Sequence, residues 1–240
     1  MPIYSSSTTI EPGSWVSIFG ANLASASVVW NNDFPLSLGG TSVTIDNKPA
    51  YLYVVSPGQI NVQAPDDAAT GTVPVVVTNS IGSASSTVTL GQFGPSFSVI
   101  GSRYVAGIVI RTDGSGTQGG GSYDIIGPNG SSLGFATRPA KAGDTIEIFA
   151  VGFGPTTPPA PSGQVLPALP NNQTYQIPGS SNLQILIGGT PVTPFFAGIT
   201  QAGLFQLNIT LPTGLGSGDV PISAIVGGVQ TQAGVFIALQ

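Results

Sequence analysis

The sequence predicts an all-β chain folded as two tandem sandwiches, on three observations. Short runs rich in Val, Ile, Thr and Phe recur about every ten positions, bounded by Gly, Pro, Asn and Ser, the rhythm of strands and turns in a sandwich or barrel. No segment sustains the 3.6-residue apolar period of a helix. Three blocks of sequence occur twice, in the same order, as internal repeats do.

The expected strands in the first half are 15–19, 41–45, 51–55, 60–63, 73–78 and 87–90. In the second half they are 105–110, 145–151, 183–187, 204–211, 220–226 and 235–239. Among the blocks, Pro12-Gly13-Ser14-Trp15-Val16-Ser17-Ile18-Phe19-Gly20 returns as Ala142-Gly143-Asp144-Thr145-Ile146-Glu147-Ile148-Phe149-Ala150, offset by 130. The segment 43–50 returns at 184–192, with Pro49 and Pro191 offset by 142. Gln59-Ile60-Asn61-Val62-Gln63-Ala64-Pro65 returns as Gln206-Leu207-Asn208-Ile209-Thr210-Leu211-Pro212, offset by 147. Rising offsets are those of two copies of one fold, the second with longer loops. The expected domains are 1–92 and 93–240. The second carries a Gly-rich excursion from 112 to about 136 and a Pro-rich one over 155–178. Both exceed routine connections, which makes them functional or mobile.

Composition narrows the setting. The chain has 34 Gly and 21 Pro in 240 residues, yet β-branched and aromatic residues recur throughout, unlike a disordered chain. Charged residues are 6%, against about 25% in ordinary globular domains. The polar surface is therefore Ser, Thr, Asn, Gln and backbone, which suits a protein of layers or walls in an extracellular or cell-surface setting. Net charge is −5, and the cations are Lys48, Arg103, Arg111, Arg138 and Lys141. With no basic cluster, phosphate backbones are excluded as partners, and so are anionic membrane surfaces. No apolar run approaches the roughly 18 residues of a membrane span. The opening residues lack the basic and apolar regions of a signal peptide, so the chain reads as a mature or excised stretch.

The motif Pro-Gly-x-x-Val-x-Ile-x-Gly-x-Asn-Leu at 12–23, Val-x-Ile-x-x-x-Pro-Ala at 43–50 and Gln-Ile-x-Val-x-Ala-Pro at 59–65 resemble the IPT/TIG group of immunoglobulin-like domains. With Leu38-Gly39-Gly40, Ser56-Pro57-Gly58 and Gly152-Phe153-Gly154-Pro155, the layout resembles the tandem region near the C-termini of many secreted acidobacterial proteins. The resemblance implies two immunoglobulin-like β-sandwiches and an extracellular setting. It supplies no catalytic or ligand-binding residue.

The residue types point away from catalysis. There is no His and no Cys, which removes thiol nucleophiles and the usual general base. A Ser nucleophile would need Lys48 or Lys141 as its base, and both fall at turns. Asp144 and Glu147, three apart on a strand, point to opposite faces. Asp66 and Asp67 read as solvated turn residues. No catalytic residue, no enzyme activity and no cofactor are expected. The Gly114-to-Gly119 run matches G-x-G-x-x-G, but Gly120-Gly121-Ser122-Tyr123 will not open the required helix, so it reads as a flexible loop. Asp113 and Asp124, flanking it, are weak Ca²⁺ candidates.

Three function classes follow. The first is a non-catalytic extracellular structural or interaction module, self-associating or binding another extracellular protein or polysaccharide. In its self-assembling form the segment 3–10, with Ile3, Tyr4 and Ile10, is a strand donated to a neighbour. The second is a carbohydrate-binding module using Trp30, in a polar turn, with Tyr51 and Tyr53, which share a strand face; the competing expectation places these rings in a core or sheet face, and Trp15 in a structural role. The third is a glycoside hydrolase with two carboxylates about 5–10 Å apart. The Asn-x-Ser/Thr matches at Asn129, Asn172 and Asn208 are short enough to arise by chance. The recurrence of Asn61 as Asn208 suggests a structural hydrogen bond to a neighbouring turn.

Overall fold

A computed structural model describes residues 1–5 and 7–240. The first sandwich is built from β1 (Thr9–Ile10), β2 (Trp15–Phe19), β3 (Val28–Val29), β4 (Ser42–Ile45), β5 (Lys48–Pro49), β6 (Tyr51–Val55), β7 (Gln59–Gln63), β8 (Gly71–Asn79) and β9 (Gly82–Leu90). One sheet runs β1-β9-β8-β4-β5 and the other β2-β7-β6-β3. Alternation sets the faces. Val16 of β2, Leu52 and Val55 of β6, and Ile60 and Val62 of β7 turn inward to meet Val43, Ile45, Val73, Val77, Val88 and Leu90.

The second sandwich repeats this plan. Its strands are β10 (Ser96–Phe97), β11 (Val99–Ile100), β12 (Tyr104–Val105), β13 (Gly107–Ile110), β14 (Tyr123–Ile125), β15 (Thr145–Val151), β16 (Tyr175–Gln176), β17 (Gln184–Ile187), β18 (Thr190–Val192), β19 (Phe196–Gln201), β20 (Leu204–Thr210), β21 (Gly218–Val226), β22 (Val229–Gln230) and β23 (Phe236–Leu239). The sheets run β14-β13-β15-β20-β19-β16 and β11-β12-β23-β21-β17-β18. The repeated blocks occupy matching places: β2 against β7 as β15 against β20, and β4 against β8 as β17 against β21. In both, an early two-residue strand runs parallel to the last one, β1 on β9 and β12 on β23.

The repeated Gln-x-Asn acts along the strand rather than on a turn. Gln59 Nε2 donates to Asn61 Oδ1 at 2.9 Å, and Gln206 Nε2 donates to Asn208 Oδ1 at 2.9 Å. The expected strand 105–110 is two strands: β12 belongs to one sheet and β13 to the other, with Ala106 at the crossing. Gly107 permits it, since a Cβ there would lie 2.8 Å from the Glu147 carbonyl oxygen. The first part of the Gly-rich excursion, through Ser122, is the tip of the β13–β14 hairpin. It is closed by backbone bonds from Gly116 to Gly121 and from Gln118 to Tyr123, so the flexible loop of the sequence reading is a compact turn.

The two sandwiches meet through polar bonds. Trp15 Nε1 donates to the Ala202 carbonyl at 2.8 Å. Gly163 N–H donates to Gln63 Oε1 at 2.9 Å, and Asp66 and Ser162 bond reciprocally, at 3.1 and 3.2 Å. Gly154 N–H donates to Glu11 Oε2 at 2.8 Å. The Pro-rich excursion thus packs against the first sandwich. Gly163 has φ +69° and its Cα lies against the Tyr51 ring, where an added Cβ would collide. Gly163→Ala is expected to cost about 1–3 kcal/mol in urea denaturation. Unchanged stability would show that this contact does not hold the joint.

Candidate functional site: an aromatic face beside an acid-floored cleft

The outer face of the β2-β7-β6-β3 sheet carries aromatic rings. Because Val16 is inward, Trp15, Ser17 and Phe19 take the opposite face of β2. Tyr53 sits in the register shift between Leu52 and Val54 of β6, where a bulge turns it out. Trp30 follows β3, its N–H donating to the Tyr53 carbonyl at 2.9 Å. Four rings meet edge to face. Trp15 lies 5.7 Å from Trp30 and 5.6 Å from Tyr53. Trp30 lies 4.6 Å from Phe34 and 5.4 Å from Tyr53. Such pairs add about 0.5–1.5 kcal/mol each beyond burial. Phe34 is held at φ +49°, a strained state for a bulky residue, with its ring against Trp30. Tyr53 remains 40% exposed and Phe19 58%.

Of the rings named from sequence, Trp30 and Tyr53 come together. Tyr51 does not join them, because the turn at Gly163 covers it. Trp15 and Phe34 complete the group unforeseen, although the alternation in β2 already placed Trp15 outward.

The Ca²⁺ candidates resolve otherwise. Asp124 is buried and accepts Arg111 Nε at 2.8 Å, Arg138 Nε, and the N–H and hydroxyl of Thr117 at 2.9 and 3.1 Å. Asp113 Oδ1 accepts the Ser115 N–H and hydroxyl. Guanidinium groups occupy the lone pairs a cation would need, and among the described residues no three His, Cys, Asp or Glu side chains are placed to hold a metal. Asp144, also buried, is bound by Arg138 and by the Lys141 N–H. Glu147 faces Asn208 instead, and burial raises its carboxyl above the ordinary range.

The described residues of the segment 3–10 bond within their own chain. Ile10 is fully buried and pairs, with Thr9, on β9. Ile3 N–H donates to the Trp15 carbonyl, and the Ile3 and Tyr4 carbonyls accept Ser96 Oγ and Gln232 Nε2. Within one chain, then, these residues pair on their own sheets.

A cleft of about 590 Å³ lies between the sandwiches, lined by Glu11, Asp66, Asp67 and Gln92 from the first and by Gly154 and Phe205 among others from the second. Asp67 is no solvated turn residue: its side chain is buried, with Oδ1 on Lys48 Nζ at 2.8 Å. The Lys48 hydrogen bond, foremost, holds its carboxyl below the usual range. Glu11 is 6% exposed, and burial pushes its carboxyl up to about 8 despite the Gly154 bond.

Residues 2–93 match the IPT/TIG domain, and the second sandwich repeats that topology. Among solved structures the chain is similar to a Bacteroides ovatus SGBP-B of a mixed-linkage glucan utilization locus, with TM-score 0.37 and 10% identity, covering 98% of this chain and 43% of that one. It is also similar to an SGBP-B from a complex xyloglucan utilization locus in Bacteroides uniformis, with TM-score 0.29 and 13% identity, covering 95% and 46%. Titin domains Z1Z2 in complex with telethonin give TM-score 0.24 and 13% identity, covering 98% and 92%. The chain spans under half the length of both SGBP-B chains. No curated protein matches it.

Proposed function

We propose that the chain is a non-catalytic, extracellular interaction module, with units 1–92 and 93–240, that holds a polysaccharide on the aromatic face of its first sandwich. The observation that carries this reading is the group of Trp15, Trp30, Phe34 and Tyr53, held edge to face on an outward sheet surface. Packing fixes the rings before a ligand arrives, so little conformational entropy is lost on binding. Clusters of exposed apolar side chains mark interaction sites. The surroundings are amides, hydroxyls and backbone, with Asn31 and Asn32 exposed beside Trp30, a setting for a neutral, hydroxyl-bearing chain.

Affinity electrophoresis through gels containing soluble β-glucan, xylan or α-glucan tests it. At least one polysaccharide is expected to retard the protein. Trp30→Ala and Tyr53→Ala are each expected to weaken retention by about 10- to 100-fold, the effect of losing a binding hot spot. No retardation, or retardation indifferent to both changes, would overturn the reading. Release of new reducing ends from the polysaccharide would overturn its non-catalytic part.

A further inference from the structure

The aromatic face leaves Glu11 unused. This residue follows β1, where the chain crosses from one sheet of the first sandwich to the other. Its Oε2 receives the Gly154 N–H across the joint. Among the described residues its Oε1 has no hydrogen-bond partner, and it keeps solvent contact where the residue lines the cleft. The cleft volume of about 590 Å³ falls within the roughly 300–1,000 Å³ of small-ligand sites, which concentrate at domain interfaces.

The charges around it are few. Among the described residues no cation pairs with Glu11. The titratable groups that share its cleft are Asp66 and Asp67, on the β7–β8 connection, and Lys48 is already spent on Asp67. The second-sandwich wall, including Pro155, Thr156, Pro159 and Phe205, contributes none. Burial without a counter-charge keeps Glu11 an undissociated acid at neutral pH. In that state the carboxyl offers both a donor and an acceptor.

We propose that the cleft between the sandwiches is a second ligand site, with Glu11 as its hydrogen-bonding floor and a neutral, hydroxyl-rich molecule, the end of an oligosaccharide, as its ligand. A ring hydroxyl exchanges bonds with the Glu11 carboxyl. The C–H faces of the sugar rest on Pro12, Pro155 and Pro159. Asp66 and Asp67 repel anions. An amine ligand would instead arrive as its ammonium ion and need Glu11 ionised, the proton released to solvent, so its binding would strengthen as pH rises.

The test titrates the ¹⁵N-labelled chain with cellotriose, xylotriose and maltotriose, and with putrescine as the amine, reading the Gly154 amide resonance. At least one trisaccharide is expected to shift that resonance saturably at pH 6.5. At pH 9.5 its affinity should fall about 30-fold, following the loss of the protonated fraction of a group near 8. Glu11→Gln, which keeps a neutral donor and acceptor, should bind within about threefold of the parent at pH 6.5 and should not weaken at pH 9.5. The Gly154 resonance reports on the cleft and gel retention of the Trp30 and Tyr53 variants on the aromatic face, so failure of one and failure of the other are told apart. A Gly154 resonance that putrescine moves and no trisaccharide does, one that nothing moves, or affinity that survives pH 9.5 in the unaltered chain would each overturn the proposal. The Gly154 readout needs no variant, so a misfolded Glu11→Gln would not protect it.

Discussion

Asp124→Ala is expected to lower stability by about 3–5 kcal/mol, the cost of removing one partner from a buried ion pair. Its side chain is 5% exposed, and the guanidinium groups of Arg111 and Arg138 that it joins are only 21% and 19% exposed. Without the carboxylate, both cations remain half-buried with Asp144 as their carboxylate partner, and Thr117 loses the acceptor that pins the hairpin tip. Urea denaturation reads the change as a lower midpoint at unchanged slope. pH supplies a second readout. Burial alone would raise the Asp124 carboxyl, but Arg111 and Thr117 outweigh it and hold it below the usual range. A depressed folded value means the native state binds fewer protons than the unfolded chain. Its stabilisation is therefore complete above the unfolded value near 4 and is lost as pH falls through the folded value. Asp124→Asn should flatten that acid limb. An acid limb identical in parent and variant would show that Asp124 is not the group responsible.

Phe153→Ala is expected to cost about 3–5 kcal/mol as well, for a different reason. The ring is fully buried and lies 5.9 Å from both Phe97 and Phe205, so its removal opens a void at the centre of the second core. The neighbours make the position more sensitive. Gly152 and Gly154 both have positive φ and approach the Gly94 backbone and the Phe93 ring too closely for a Cβ, while Gly154 holds Glu11. A core collapse that moved these glycines would also strain the joint. Phe153→Leu should recover about half of the loss, since the smaller void costs less. A loss below about 1 kcal/mol for Phe153→Ala would mean that the core closes over the gap.

Apolar runs bounded by turn residues were legible in the sequence as strands. Trp15–Phe19, Tyr51–Val55 and Thr145–Val151 fall where the pattern put them, and the repeated blocks took equivalent places in the two sandwiches. The front of β9 was not legible, because Gly82, Ser83, Ala84, Ser85 and Ser86 carry no apolar signal and are held only by pairing with β8. The crossing at Ala106 was hidden inside one continuous apolar run, where periodicity cannot show a change of sheet. Half of the aromatic face was readable as rings on strands and in a polar turn. Tyr51 was misplaced because its cover comes from Gly163, more than a hundred residues away. Glu11 had no signal at all: a lone carboxyl after a short strand reads as solvent-exposed until the second sandwich closes over it.

The parallel pairing of an early strand with the last one has a mechanical meaning. In the first sandwich the chain enters along β1 and leaves along β9. Tension applied to the two ends of that unit pulls these partners in opposite directions along their length. The hydrogen bonds between them are then sheared together instead of unzipped one by one. The aromatic face lies on the other sheet, β2-β7-β6-β3, away from that pair of strands.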